Sequence, residues 1–453
     1  MAYFLNVFVK MKIYRMLQRS LYIVSSMMIL VTACSPRLNK DSYSGSVNTN
    51  GYQADTLAVP YETKSATNFS KVIGWKGGET PVAPSGFTVT KYADGFDHPR
   101  GLYVAENGDV FVSEANTELK GIKKIGSKIS RKIKTQHYGK SANRVTRLRD
   151  ADHDGVPEER SVFIEGLNQP FGMLIIGNHF YVGNTDGVVE YDYKPEASSI
   201  TSGGRQIISL PPAGRHWTKN IITNAEKNKI YIAVGSSSNV AENGLDKETR
   251  RANIIEINTD GTGEKIYASG LRNPVGMDWA PGTQTLWTAV NERDELGDEL
   301  VPDYITGVKE GGFYGWPFSY YGQHKDPRMK DHPADSLVAK AIVPDVALGS
   351  HTASLGMVFY NKQSFPDKYH NGAFIAQHGS WNRSIISGYK IVFVPFKDGK
   401  PSGKPEDFLT GFVADLSKSE VHGRPVCVAL TPDGSLLVTD DVSNTIWKVS
   451  AKK

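Results

Sequence analysis

The chain has 453 residues, 39% hydrophobic and 22% charged, enough to bury a large core. A formal net charge of +4 is too small to argue for a nucleic-acid partner. Two cysteines rule out a disulfide scaffold, and 44 glycines with 23 prolines describe a turn-rich chain.

Lys10, Lys12, Arg15 and Arg19 precede an apolar stretch from Leu21 to Val31 that ends at Thr32-Ala33-Cys34-Ser35. This pattern predicts a lipoprotein signal peptide over residues 1–34, with Met11 as an alternative start, cut to leave a lipidated Cys34 that attaches the protein to a membrane. An anchor that stays uncut is the alternative reading. Ser35 after the cysteine carries no inner-membrane retention signal of the Asp type, so the expected location is the periplasmic side of the outer membrane. Residues 35–80, rich in Ser, Asn, Thr, Gly and Lys, are expected to form a flexible tether. Residues 81–453 are expected to form one catalytic domain.

One phrase returns along that domain: Asn/His-Pro-x-Gly, an alternating apolar run, a Gly/Asn/Asp turn and a second apolar run. Its full copies are His98-Pro99-Arg100-Gly101, Gln169-Pro170-Phe171-Gly172 and Asn273-Pro274-Val275-Gly276. Looser copies lie at Trp217-Thr218-Lys219-Asn220, Thr352-Ala353-Ser354-Leu355-Gly356 and Gly423-Arg424-Pro425-Val426. Each unit is a strand pair that cannot bury its apolar face alone, so the units must stack. Repeats longer than about forty residues built of strands predict an all-β, six-bladed β-propeller. A β-sandwich with chance similarity is the alternative.

Side chains at the start of each phrase should meet at one mouth of the central channel. These are His98 and Arg100, Gln169, His216, Arg272 and Asn273, His351 and Thr352, and His422 and Arg424. A ring of donors and cations fits a polyanionic ligand, although each residue singly could serve only a strand end. His216, with Arg215 before it, is the candidate proton acceptor.

The insertion from Lys120 to Arg149 is crowded with Lys and Arg, as solvated loops are. Asp150, Asp152 and Asp154, with Gly155, have the spacing of a calcium turn, with Glu158 or Glu159 as distal ligands. The acidic run from Asp294 to Tyr304, followed by Gly311-Gly312-Phe313-Tyr314-Gly315-Trp316-Pro317, offers hard oxygen ligands that also suit calcium. Cys427 reads as a small core residue, and no haem-attachment motif exists, so in a redox enzyme electrons would leave to a separate protein.

The stretches Leu271-Arg272-Asn273-Pro274-Val275-Gly276, Gly312-Phe313-Tyr314-Gly315-Trp316-Pro317, His378-Gly379-Ser380-Trp381-Asn382-Arg383-Ser384 and Gly423-Arg424-Pro425-Val426 resemble the glucose/sorbosone dehydrogenase family, and most of all its sorbosone dehydrogenase-like branch. The likeness runs from about residue 85 to residue 449 and implies a six-bladed propeller that binds pyrroloquinoline quinone (PQQ) and calcium and oxidises sugars or related alcohols and aldehydes. It implies His216 as the base, Gln169, Arg272, Asn273, Arg383 and Arg424 as cofactor contacts, and Gly297, Asp298, Asp303 and Tyr314 around calcium. The implied partners are a small sugar or aldehyde substrate and an external quinone or cytochrome. This chain departs from the glucose-oxidising members at Arg215, where they place Asp, and at Gly297-Asp298, where they have Gly-Pro. Two rivals remain: a metal-dependent lactonase, which would need acidic and amide ligands rather than a cationic ring, and a non-catalytic, lipid-anchored carbohydrate-binding propeller.

Overall fold

The computed structural model describes residues 57–118, 138–152, 154–211 and 214–452. The signal peptide with Cys34, the tether as far as residue 56 and most of the basic insertion lie outside the described residues. The described chain is nearly all β, with one short α-helix, Asp335–Val338.

Six sheets of four antiparallel strands follow one another along the chain, the third extended by a short parallel fifth strand, Gly312–Phe313. Their first strands are Pro99–Val104, Met173–Ile176, Ile221–Thr223, Pro274–Trp279, Ser354–Phe359 and Pro425–Leu430. Every repeated phrase therefore opens a sheet. Each first strand lies beside the next, and that of sheet six returns to that of sheet one. Sheet six takes its outer strand, Phe87–Ala93, from the other end of the domain, where it pairs antiparallel with Thr445–Ala451.

The phrase glycine explains why the sheets stand so close. A Cβ on Gly101 would sit 2.0 Å from the Phe171 carbonyl oxygen, and one on Gly172 would sit 2.5 Å from the Ile221 nitrogen. Gly276 meets Leu355 O and Met357 N, both at 2.5 Å, and Gly356 meets Cys427 Cα at 2.7 Å. Only glycine lets first strand approach first strand backbone to backbone. Sheet three lacks the glycine, and there Asn220 Nδ2 donates to Val275 O at 2.8 Å instead. Between sheets six and one the bridge is Thr439 Oγ1, which donates to Arg100 O at 3.0 Å.

Ala115, Phe171, Trp217, Val275, Leu355 and Val426 form one buried apolar cluster, one residue from each sheet or a loop next to it. Burying a large apolar side chain contributes roughly 1.5–3 kcal/mol, so this plug both joins the sheets and floors the polar mouth above it.

Residues 57–80, expected as tether, are instead bonded along sheets four, five and six. Lys71–Val72 pairs in parallel with Glu420–Val421. Asn68 N donates to Trp381 O at 2.8 Å and its Nδ2 to Ser384 O at 2.9 Å. Trp75 Nε1 donates to Asp440 Oδ2 at 2.9 Å, and its ring stacks on His422 at 4.8 Å. A low-periodicity sequence concealed a strap held by side-chain hydrogen bonds and rings.

We expect Gly276→Ala to lower stability by about 3 kcal/mol in a urea titration, because its methyl would enter backbone of the next strand. Gly203, with open space around its Cβ direction, is the control and should tolerate Ala within about 0.5 kcal/mol. Equal midpoints for the two variants would contradict the packing argument.

Candidate active site

The polar residues that precede the first strands occupy an unusual backbone. His98, Gln169 and His351 have φ of 54°, 47° and 60°, a left-handed region that non-glycine residues enter at a cost. Around them the charged groups divide into two clusters, each centred on a buried aspartate.

The first centre is Asp294. Its Oδ2 accepts from Arg215 NH2 at 2.9 Å and Arg272 NH2 at 3.2 Å, and its Oδ1 lies 3.4 Å from His351 Nδ1. Burial works to raise this carboxyl, but His351, Arg272 and Arg215 hold it well below the usual range. Burial likewise opposes the charge on His351, yet Asp294 raises that imidazole. Arg272 is fully used. Its Nε donates to Asn239 O, its NH1 to Asn291 O and Glu292 O, and its NH2 to Asn239 Oδ1 as well as Asp294. Burial brings it down to about 10. With all five N–H groups committed, Arg272 shapes the site rather than offering a donor to a ligand.

His216 lies beside this cluster. Its Nδ1 is 3.0 Å from both Ser236 O and Ser236 Oγ; donating to the carbonyl fixes the tautomer that leaves Nε2 as an acceptor. Burial first, then Arg272 and Arg215, hold its pKa well below the ordinary value, so the ring is neutral near pH 7. Asn273 is its neighbour, since a Cβ on Gly235 would meet Asn273 Oδ1 at 2.3 Å and His216 Cβ at 2.6 Å. Asn273 Oδ1 is buried without a hydrogen-bond partner. Gln169 is anchored through Nε2 to Asn116 O at 2.8 Å.

The second centre is Asp441. Arg100 NH1 donates to its Oδ2 at 2.6 Å, Arg424 Nε to its Oδ1 at 3.1 Å, and His378 Nε2 lies 3.0 Å from Oδ2. Burial pushes the His378 imidazole down to about 4. Arg100 also lies over the Trp217 ring, 5.5 Å from its centroid, and its Nε has no hydrogen-bond partner. Trp217 Nε1 donates to Thr117 Oγ1 at 2.8 Å, which links this cluster to sheet one. Neither Asp441 nor His378 was singled out from sequence as a site residue. The signals present were a carboxylate doublet, Asp440-Asp441, at a strand end and a histidine just after a buried strand.

Arg383 stands apart from both centres, its NH2 paired with Glu299. The residues expected around calcium in the 294–314 region have other partners. Gly297 O lies 2.8 Å from His351 Nε2, while Asp298 Oδ1 accepts from Ser384 N at 3.1 Å. Both Asp303 oxygens are filled, by Glu292 N, Thr352 Oγ1 and Ser354 N, and burial raises its carboxyl to about 6. Tyr314 Oη donates to Gly307 O at 2.9 Å. The strap caps the same corner, since Gly297 N donates to Ser65 Oγ and Asp298 N to Thr63 Oγ1. The second predicted calcium turn does gather its oxygens: ligand atoms of Asp150, Asp152, Asp154 and Glu158 lie within 4.8 Å of one another. It sits between the third and fourth strands of sheet one, Arg144–Arg149 and Glu159–Ile164.

A family model described as TrAA12-like matches residues 81–304 and 320–452. An uncharacterised protein of Borreliella burgdorferi is 29% identical over 83% of this chain and 92% of its own length. A pyrroloquinoline quinone-dependent pyranose dehydrogenase of Coprinopsis cinerea is 21% identical over 80% of this chain. The match covers 53% of that enzyme, so the chain spans about half its length. The solved PQQ domain of the pyranose dehydrogenase from Coprinopsis cinerea, in its holo form, superposes with a TM-score of 0.65 at 20% identity, covering 84% of this chain and 100% of that one.

Proposed function

We propose that this chain, which belongs to the TrAA12-like family, oxidises a sugar or a sugar-derived alcohol or aldehyde with PQQ and passes the electrons to an external quinone or cytochrome. We read the six sheets as six blades and the mouth above the apolar plug as the cofactor seat. The observation that carries the reading is His216: a neutral imidazole with its tautomer set by Ser236 O, beside an unpartnered amide oxygen and two guanidiniums.

The groups present suit a polyanionic quinone. Buried polar atoms without partners, among them Arg100 Nε, Asn273 Oδ1, His98 Nδ1 and Asn116 Nδ2, are the kind that a ligand with carbonyls, a ring N–H and carboxylates would satisfy. Arg100 and Arg424 would neutralise its charge, and Gln169 and Asn273 would orient it. When bound, PQQ supplies the two-electron acceptor. The protein supplies the base: His216 Nε2 takes the hydroxyl proton of the sugar as the C–H bond gives up its hydride. Arg272 acts at one remove, fixing Asp294 and the Asn239 and Asn291 carbonyls around that imidazole.

For calcium we favour the Asp150 turn as a structural site. Asp150 Oδ1 is buried without a partner beside three further carboxylates. At the cell level, we hold to a lipidated Cys34 and a periplasmic-side, outer-membrane location, which the Lys/Arg-then-apolar leader and its Thr-Ala-Cys box support.

His216→Gln should lower dye-linked sugar oxidation by about 10²–10⁴-fold while the PQQ absorption titration and melting temperature stay in place. Because the imidazole is already neutral, wild-type kcat/KM should stay level from about pH 8 to about pH 6 rather than fall below the ordinary histidine pKa. Full activity in His216→Gln would overturn the assignment. Calcium at a hundredfold excess over its Kd should stabilise the folded state by roughly 2.7 kcal/mol. Asp152→Ala should abolish that gain, and a melting temperature indifferent to calcium would rule out the turn as a site.

A further inference from the structure

We propose that the sugar taken by this site is anionic and that Arg215 is the residue that selects it; the inference rests on the sugar-oxidising reading above. Two guanidiniums meet on Asp294, and their remaining valences differ. Arg272 spends all five N–H groups on protein acceptors and is 1% exposed. The Arg215 side chain is 33% exposed and makes one hydrogen bond, from NH2 to Asp294. Its Nε and NH1 have no hydrogen-bond partner among the described residues.

This cation with unspent donors is next in sequence to the proposed base and is not loosely held. The Arg215 guanidinium lies over the Trp381 ring, 5.3 Å from its centroid, and Trp381 is itself stacked with Phe69 of the strap at 5.8 Å and 17°. Stacking and the single Asp294 bond fix the plane of the cation while leaving donors unspent. The neighbouring carboxylates are occupied. Asp294 is shared with Arg272 and His351, and Glu242 accepts from Asn239 N at 3.0 Å and Val240 N at 2.7 Å. A carboxylate or phosphate on the substrate would accept from the unspent Nε or NH1 N–H groups through charge-assisted hydrogen bonds, which a neutral sugar hydroxyl cannot match. Phe69 lies in the segment before the family-matched residues, so the support behind Trp381 comes from outside the matched domain.

The test compares D-galacturonate with galactose, and glucose 6-phosphate with glucose, on the PQQ-loaded full-length protein and, by tryptophan fluorescence, on the cofactor-free protein. The two charged sugars separate carboxylate from phosphate recognition. At least one charged sugar should exceed its neutral partner about tenfold in kcat/KM, through KM rather than kcat. Arg215→Gln should remove that preference, Arg215→Lys should restore part of it, and added salt should weaken charged-sugar binding only. Equal handling of charged and neutral sugars, or a preference that survives Arg215→Gln, would overturn the inference. Should Arg215→Gln not fold, the salt dependence of wild-type binding decides. If no sugar of either charge is oxidised, the dehydrogenase reading fails instead, and the cofactor-free binding comparison still judges Arg215.

Discussion

The site depends on a contact in which no functional side chain takes part: the backbone of one first strand pressed against the next through a glycine. At Gly101, Gly172, Gly276 and Gly356 any Cβ would fall within 2.8 Å of the following sheet. That approach sets each first strand beside the next and brings together residues separated by hundreds of positions. His98 and Asp441 come from opposite ends of the domain, yet both stand at the same mouth because sheet six and sheet one are neighbours. The apolar plug keeps those polar groups on one side of the array.

Above the plug, charge is organised around two buried aspartates rather than as a simple cationic ring. Asp294 gathers Arg215, Arg272 and a raised His351, while Asp441 gathers Arg100, Arg424 and a depressed His378. Pairing each carboxylate with two guanidiniums makes burial of the cations tolerable and leaves Arg100 Nε without a hydrogen-bond partner. The result is a division of labour: Arg272 builds, His216 keeps a neutral imidazole, and Arg100 and Arg215 keep unspent donors.

The repeated phrase made the sheets legible because its signal is local: alternation, a turn and a glycine lie within about a dozen residues. The same signal placed His216, Gln169, Asn273 and Arg424 at strand starts. It could not say how their polar atoms are spent. Arg272 looks available in sequence, but its acceptors are mainly carbonyls of Asn239, Asn291 and Glu292, which only the folded loops assemble. The resemblance implies Asp303 and Tyr314 around calcium, yet each is bonded to nearby loop and strand groups. The strap over residues 57–80 escaped notice because parallel pairing of two residues, together with Trp75 and Phe69 as isolated rings, leaves no periodic trace.

The central claim is that a neutral imidazole above the plug works on a sugar held against a quinone. An anaerobic absorption titration tests it most directly: the purified protein is loaded with PQQ, and candidate sugars are then added with no other electron acceptor present. The account predicts saturable binding followed by conversion of the oxidised spectrum to the reduced one, one equivalent per sugar oxidised. A protein that leaves PQQ free in solution, or holds it unreduced by every neutral and acidic sugar tried, would contradict it.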